Sequence, residues 1–313
     1  MDEYDEFISK FPRAKHDVCN NEIYLETFVC HTTLKFDVRK LVETVRITEW
    51  VEVKKKRGRK PKNAPPDPNE HIKPGSIISV EFKKKKGAKH RAKITGPFDN
   101  TVCIDMIMKN RSGGNKKVSI KVPATGNIDV TGCSHASQVA FCLYKLFTHL
   151  TPDVYSLKPG FDEYIINIVS YMKNVQFNLG FKIDQSLMTT YINQNPDMMF
   201  TASYFPCSNY RGAVIKHDSE QDENNESYQL KVAYNEATEK HEWKYKLVKL
   251  PYIIDFVKQT TGKVGKFYDR EHTFMAFNSG VIIQTGMYIG DMERVNKMLF
   301  GFLMKCKDKI KIE

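Results

Sequence analysis

The chain lacks any run of about 18 apolar residues, so it offers no helix able to cross a membrane. Its opening, Met1-Asp2-Glu3-Tyr4-Asp5-Glu6, is acidic and has no apolar stretch, so no secretory signal is expected there. Seven cysteines stand at 19, 30, 103, 133, 142, 207 and 306, and no two form a Cys-x-x-Cys pair. The odd count and scattered spacing imply reduced, intracellular thiols and no zinc site. No phosphate-binding Gly-Lys-Ser/Thr loop occurs. The histidines are dispersed, none pairs with a cysteine at ligand spacing, and carboxylates do not cluster on predicted strand ends. No metal, cofactor or enzymatic activity is therefore expected. What is present is a globular composition with a charge bias. Hydrophobic residues make up 41% of the chain, enough for a sizeable core. The formal net charge of +11 favours a polyanionic partner, usually nucleic acid, although a basic enzyme would share it.

One phrase is written twice. Thr125-Gly126-Asn127-Ile128-Asp129-Val130-Thr131-Gly132 and Ser279-Gly280-Val281-Ile282-Ile283-Gln284-Thr285-Gly286 both read Ser/Thr-Gly-x-Ile-x-x-Thr-Gly. Each is followed by an amphipathic helical stretch, 134–150 with Val139, Leu143, Leu146 and Phe147 on one face, and 291–306 with Val295, Met298, Leu299, Phe302 and Leu303. Each half opens with a strand, Thr27 to Thr32 and Asn167 to Tyr171. A helix start with a candidate Asp N-cap follows, Phe36-Asp37 and Ile183-Asp184. A matched phrase, sequel and opening describe a duplicated α+β unit.

Two stretches interrupt the halves. The first, 54–91, runs from Lys54-Lys55-Lys56-Arg57-Gly58-Arg59-Lys60-Pro61-Lys62 through a proline-rich segment to Lys83-Lys84-Lys85-Lys86. Like charges and proline oppose packing, so much of it should be an exposed loop. Within it, Ser76 to Phe82 has strand composition. The second starts with an acidic, Asn-rich loop, His217 to Ser227. Its tip is either simply solvated or a dock for a basic partner. Tyr228–Tyr234 and Trp243–Val248 then alternate as a hairpin. The expected organisation is a tail, 1–23; a first repeat, 24–150, with the basic insertion; a linker, 151–163; and a second repeat, 164–313, with an insertion at about 217–246.

Phe277-Asn278-Ser279-Gly280 through Thr285-Gly286 resembles the Phe-x-Ser-Gly-Lys-x-x-x-Thr-Gly signature of the TATA-box-binding protein family. Asn167-Ile168-Val169 resembles the opening of that family's repeats. Tyr210-Arg211-Gly212-Ala213-Val214-Ile215-Lys216 resembles its Phe-Pro-Gly-Leu-Ile-Tyr-Arg strand. The texture is that of the divergent versions carried by large DNA viruses. The resemblance implies an α+β saddle of two pseudo-twofold repeats, a curved antiparallel sheet with helices on the convex side. It implies that the concave face meets the DNA minor groove and that aromatic wedges kink the duplex.

Carried over by position, the groove face would hold Asn167, Val169, Tyr210, Lys216, Met275, Phe277, Ile283 and Thr285 from the second half, and Val29, Lys109 and Thr131 from the first. Strand alternation by itself groups Met275, Phe277, Ile283 and Thr285 on one side. Asn167 would take the central amide position, where it could donate to adenine N3 and thymine O2; as a bare residue it also reads as a strand-edge turn. Tyr210 and Phe277 would form a wedge pair, with Lys216 near the phosphates. In the first half, Cys103 and Pro123 fall where the wedges should be, Thr27 replaces the amide, and Asp129 aims an anion at the groove. Family lysines are lost at Asn127, Val281, Ser134 and Tyr288. DNA binding should accordingly be weak and lopsided, with one wedge rather than two. The run Lys54, Lys55, Lys56, Arg57, Arg59 and Lys60 reads as an AT-hook-like element, a phosphate patch or a nuclear-localisation signal.

The expectation is a general transcription initiation factor that binds A/T-rich promoter DNA without a cofactor. Its partners would be RNA polymerase and general factors such as a transcription factor IIB-like protein, although Pro206-Cys207-Ser208 replace the glutamates of that contact. It would be monomeric on DNA and off membranes, in the nucleus or a cytoplasmic viral factory, or packaged in a virion. The alternative is a protein-interaction scaffold of the same fold with weak or non-specific DNA binding.

Overall fold

A computed structural model describes residues 3–11, 23–51, 68–69, 71–82, 100–109, 114–206, 212–218, 226–262, 271–287 and 289–312. The elements in chain order are α1 (Glu3–Lys10), β1 (Ile23–Thr32), β2 (Leu34–Phe36), α2 (Val38–Thr44), β3 (Ile77–Phe82), β4 (Thr101–Lys109), β5 (Asn115–Pro123), β6 (Ile128–Thr131) and α3 (Ala136–Phe147). There follow β7 (Tyr155–Leu157), β8 (Tyr164–Asn178), α4 (Gln185–Asn193), β9 (Phe200–Ser203), β10 (Gly212–Asp218), β11 (Glu226–Asn235), β12 (Lys240–Lys249), α5 (Leu250–Thr261), β13 (Glu271–Phe277), β14 (Val281–Gly286), α6 (Ile289–Lys305) and α7 (Lys307–Ile310). The class is α+β, as expected.

The chain divides into two compact units, 1–13, 28–169 and 228–246 in one, and 14–27, 170–227 and 247–313 in the other. Strands β1 and β8 each run through both. In the first unit the strand order is β3-β4-β5-β6-β1; in the second it is β9-β10-β13-β14-β8. With β2, the β11–β12 hairpin and α5 set aside, the chain order of the elements matches too: strand, helix, four strands, helix. Topology therefore repeats as the phrase does. The match also reassigns Ser76 to Phe82. It is not part of an insertion but β3, the edge strand of the first repeat, antiparallel to β4 as β9 is to β10.

The same local chemistry builds both repeats. Asp37 accepts the N–H groups of Arg39 and Lys40, and Asp184 those of Ser186 and Leu187, so both predicted caps start their helices. In the turns, Gly126 and Gly280 have φ of +93° and +82°. A Cβ on Gly126 would lie 1.7 Å from the Leu34 carbonyl oxygen, and one on Gly280 would lie 2.0 Å from that of Phe181. The backbone that leaves the opening strand presses against each turn, so both copies of the phrase need glycine.

In the second unit the core is formed by Phe274, Ala276, Ile282, Ala213 and Ile215 from the strands, packed with Met188 and Ile192 of α4 and Val295, Leu299 and Leu303 of α6. Burial of each of the larger of these side chains contributes roughly 1.5–3 kcal/mol relative to exposure. Gln284 ties β14 to α6 by donating to the Met292 carbonyl and accepting from Asn296, both at 2.9 Å. His272, fully buried, meets Asp291 at 2.7 Å, and Arg294 holds the other carboxylate oxygen at 2.6 Å. Burial pushes the His272 pKa down, against the upward pull of Asp291.

The helix of the first repeat differs from its expected one-faced pattern. In α3, ten of the twelve residues are buried, Ala136 to Leu143 plus Leu146 and Phe147. The hairpin expected in the second repeat packs on it, with Trp243 edge-on to Phe147 at 5.2 Å and to Tyr144 at 6.2 Å. The expected tail contains α1, which packs Tyr4 against Phe141 at 5.0 Å. By contrast α6 keeps one face open, with Phe300 and Met304 exposed.

Candidate nucleic-acid interface

In the second unit, the inward residues of β13 and β14 fix the opposite face. With Phe274, Ala276, Ile282 and Gln284 buried, Thr273, Met275, Phe277, Val281, Ile283 and Thr285 point the other way and are half-buried. Register brings them together: Met275 faces Ile283, and Thr273 faces Thr285. From β10, Val214 and Lys216 join beside Met275 and Thr273, while Gly212 pairs with Phe277. A Cβ on Gly212 would be 3.5 Å from the Phe277 ring, so the ring lies along the space that the glycine leaves. From β8, Asn174 and Gln176 lie opposite Thr285 and Ile283. The result is an apolar centre of Met275, Phe277, Val281, Ile283 and Val214 bordered by hydroxyls and amides. Lys216 sits at its edge in an exposed ion pair with Glu271 at 2.5 Å.

The expected grouping of Met275, Phe277, Ile283 and Thr285 therefore matches the observed face, and Lys216 joins it. Tyr210 and the basic run Lys54 to Lys60 lie outside the described residues, as do 219–225 of the acidic loop.

Asn167 and Val169 require correction. Both are buried, Asn167 completely. Asn167 pairs in register with Gln229 of β11, and its Oδ1 accepts from the Gln229 amide at 3.1 Å. Strand β8 has 15 residues, and its first part serves the hairpin while its second part serves β14. The spacing to the helix cap identifies the true counterpart. Thr27 stands ten residues before Asp37; ten residues before Asp184 stands Asn174, not Asn167. The Thr285 hydroxyl donates to Asn174 Oδ1 at 2.8 Å, which leaves the amide N–H groups of Asn174 with no acceptor among the described residues.

The first unit offers a different face. Inward Val102, Ile104, Val118, Ile120, Val122, Ile128 and Val130 are buried. Opposite them stand Thr101, Cys103, Asp105, Lys117, Ser119, Lys121, Pro123, Asp129 and Thr131, all at least partly exposed. Pro123 occupies the place of Phe277, as expected. Its register partner is Thr101, as Gly212 is for Phe277. Cys103 thus corresponds to Val214, not to a wedge, and Asp105 corresponds to Lys216. The Lys109 assignment is corrected accordingly. Lys109 lies at the far end of β4, ion-paired with Asp5 at 3.1 Å. Asp105 holds Lys117 at 2.6 Å and accepts from Ser79 at 3.1 Å. Lys121 and Asp129 face each other. Thr131 is half-buried beside Ser119, and Val29 is half-buried on β1. Charge of both signs replaces the apolar centre.

Among the described residues, no group of three or more His, Cys, Asp or Glu is placed to hold a metal. No helix there is long and apolar enough to cross a membrane.

The fold is thus a duplicated α+β unit, with helices packed on the buried face of the second unit's sheet. A protein of Invertebrate iridescent virus 6, "Uncharacterized protein 335L", is 25% identical over 245 residues, which cover 76% of this chain and 69% of that one. The structure of Methanococcus jannaschii TBP aligns over 90% of this chain and 97% of its own, with a TM-score of 0.40 and 10% identity. No family model matches the chain.

Proposed function

We propose that the chain is a TATA-box-binding-protein-like transcription initiation factor that grips A/T-rich promoter DNA mainly through its second repeat. The observation that carries this reading is the outer face of the second unit. A sheet already covered by helices on one side does not need an apolar patch on the other for folding, and such a patch suits a binding surface. Phe277 would press between base steps, with Met275, Ile283, Val281 and Val214 against the groove wall. Asn174 supplies unpaired amide donors for adenine N3 and thymine O2, acceptors that separate A·T from G·C and nothing finer. Lys216 supplies a phosphate contact. Binding is non-covalent and uses no cofactor. RNA polymerase and general factors, a transcription factor IIB-like protein among them, would assemble on the complex, with one copy of the chain per site. The setting would be the nucleus, a viral factory or a virion.

The charged face of the first unit supports a second reading, a scaffold with weak or non-specific DNA binding. Asp105 and Asp129 would be repelled by flanking phosphates. A salt-titrated binding assay on A·T-rich and G·C-rich duplexes separates the two. On the first reading the chain prefers the A·T duplex and bends it once, and Phe277→Ala removes both effects. Equal binding to the two duplexes, unchanged by Phe277→Ala, would leave only the scaffold.

A further inference from the structure

Helix α1 lies in a groove that matches it in shape and in charge. Tyr4, Phe7 and Phe11 fall at i, i+3 and i+7, so they share one side. Tyr4 and Phe11 are buried, while Glu3, Asp5, Glu6, Ser9 and Lys10 are exposed. The floor comes from α3 and the hairpin. Phe141 lies 5.3 Å and Tyr144 5.2 Å from the Phe7 ring. Tyr228 lies 4.6 Å and Tyr245 5.0 Å from Phe11. Two cations flank the groove. Lys145 meets Glu3 at 2.7 Å, and Lys109 both pairs with Asp5 and stands 5.4 Å from the centre of the Tyr4 ring. Gln138 supplies a buried polar contact, donating to the Tyr4 hydroxyl at 2.8 Å and to the Lys109 carbonyl at 3.0 Å.

This element is eight residues long. Isolated helices shorter than about 12–15 residues are marginal in water, so α1 owes its helicity to docking. One side of it is open to solvent and it stands at the chain's N-terminal end, the kind of segment that opens before the core does. Opening it would expose an aromatic floor between two lysines.

We propose that this groove is a docking site for an acidic, aromatic amphipathic helix of a partner protein, and that α1 occupies it in cis as a tethered competitor. The occupant is read from α1: three aromatic side chains at i, i+3 and i+7, a hydroxyl for Gln138, and carboxylates for Lys109 and Lys145. A basic or wholly aliphatic helix would offer no hydroxyl to Gln138 and no carboxylate to Lys109 or Lys145. A short tether holds α1 at an effective concentration on the order of mM, so the intact chain is largely closed to weak competitors.

The test uses the full chain and a fluorescent peptide of residues 1–13, read by anisotropy. The Phe7→Ala chain is expected to bind the peptide at least tenfold more tightly than the unmodified chain. That binding should weaken with salt and with an added Lys145→Glu. A scrambled peptide should not bind. Equal binding to both chains, no binding to the Phe7→Ala chain, or equal binding of the scrambled peptide overturns the proposal. Hydrogen exchange on the unmodified chain gives an arm that needs no variant. Excess unlabelled peptide should speed exchange of the α1 amides while those of α3 stay protected. If the α1 amides exchange no faster than those of α3, α1 is a fixed part of the core and the proposal fails.

Discussion

Gly280 turns beneath Phe181, whose carbonyl oxygen would stand 2.0 Å from a Cβ at that glycine. Gly126 stands in the same relation to Leu34. Alanine at either position meets both a positive φ and a backbone atom that cannot swing away. Gly280→Ala and Gly126→Ala should each cost at least about 2 kcal/mol, the scale of core overpacking. Gly180 and Gly262 are the controls. Their φ values are also positive, but a Cβ there meets nothing within 4 Å. Alanine at either should cost only the left-handed penalty, roughly 1–2 kcal/mol. Urea unfolding midpoints measure all four, and equal losses would refute the clash.

The two asparagines of β8 should separate by phenotype. Asn174→Ala removes an amide on the open face, so it should weaken A·T binding by about 1 kcal/mol, with a stability loss of no more than about 1 kcal/mol from its bond with Thr285. Asn167→Ala removes the buried partner of Gln229, so it should cost about 1–3 kcal/mol of stability and leave the A·T preference intact. The opposite assignment of effects, from duplex titrations and unfolding on the same two proteins, would restore Asn167 as the reader.

Asp105 marks the difference between the repeats, since its counterpart is Lys216. Asp105→Asn removes an anion from the face and releases Lys117 from its 2.6 Å ion pair. DNA affinity should rise, and the slope of log K against log salt should steepen by roughly 0.9, the effect of one gained phosphate contact. An unchanged slope would mean that the first repeat does not approach the duplex.

Duplication was legible because its marks are local. A glycine against a carbonyl, an aspartate on a helix start and a period-two apolar pattern each leave a fixed residue at a fixed place. That is why Asp37, Asp184, Gly126, Gly280 and the face of Phe277 could be read from the chain. Register along a strand is not local. Asn167-Ile168-Val169 has the look of a repeat opening, yet β8 extends backward to pair with β11, and that pairing buries Asn167. The distance to Asp184 carried the correction and could have been counted. The assignment of Lys109 failed for the same reason, because only the pairing of Thr101 with Pro123 sets which β4 residue answers Lys216. Helix α1 was hidden by its shortness and acidity, since its aromatic side pays off only against α3 and a hairpin more than two hundred residues away. β3 was legible as a strand over Ser76 to Phe82, but the lysine runs on either side made it read as part of an insertion.

Two buried bases near the end of β1 should shape the pH dependence of stability. Burial and the neighbouring Lys158 push His31 down from its usual value to about 4. Between pH 6.5 and 4 the unfolded chain takes up a proton that folded His31 refuses, so its contribution is full above pH 6.5 and is lost as pH falls through 4, up to about 3 kcal/mol. Lys158 donates to the Thr32 carbonyl at 2.6 Å, and burial with Lys35 nearby lowers its pKa to about 8. Its contribution is full above about pH 10.5 and is lost as pH falls to 8. Stability from this pair should therefore rise from pH 4 to 6.5 and again from 8 to 10.5. His31→Phe should flatten the first rise and leave the second, and Lys158→Met should flatten the second. Unfolding midpoints across pH 4 to 10.5 measure both, and an acid-side slope that survives His31→Phe would assign that slope to other groups.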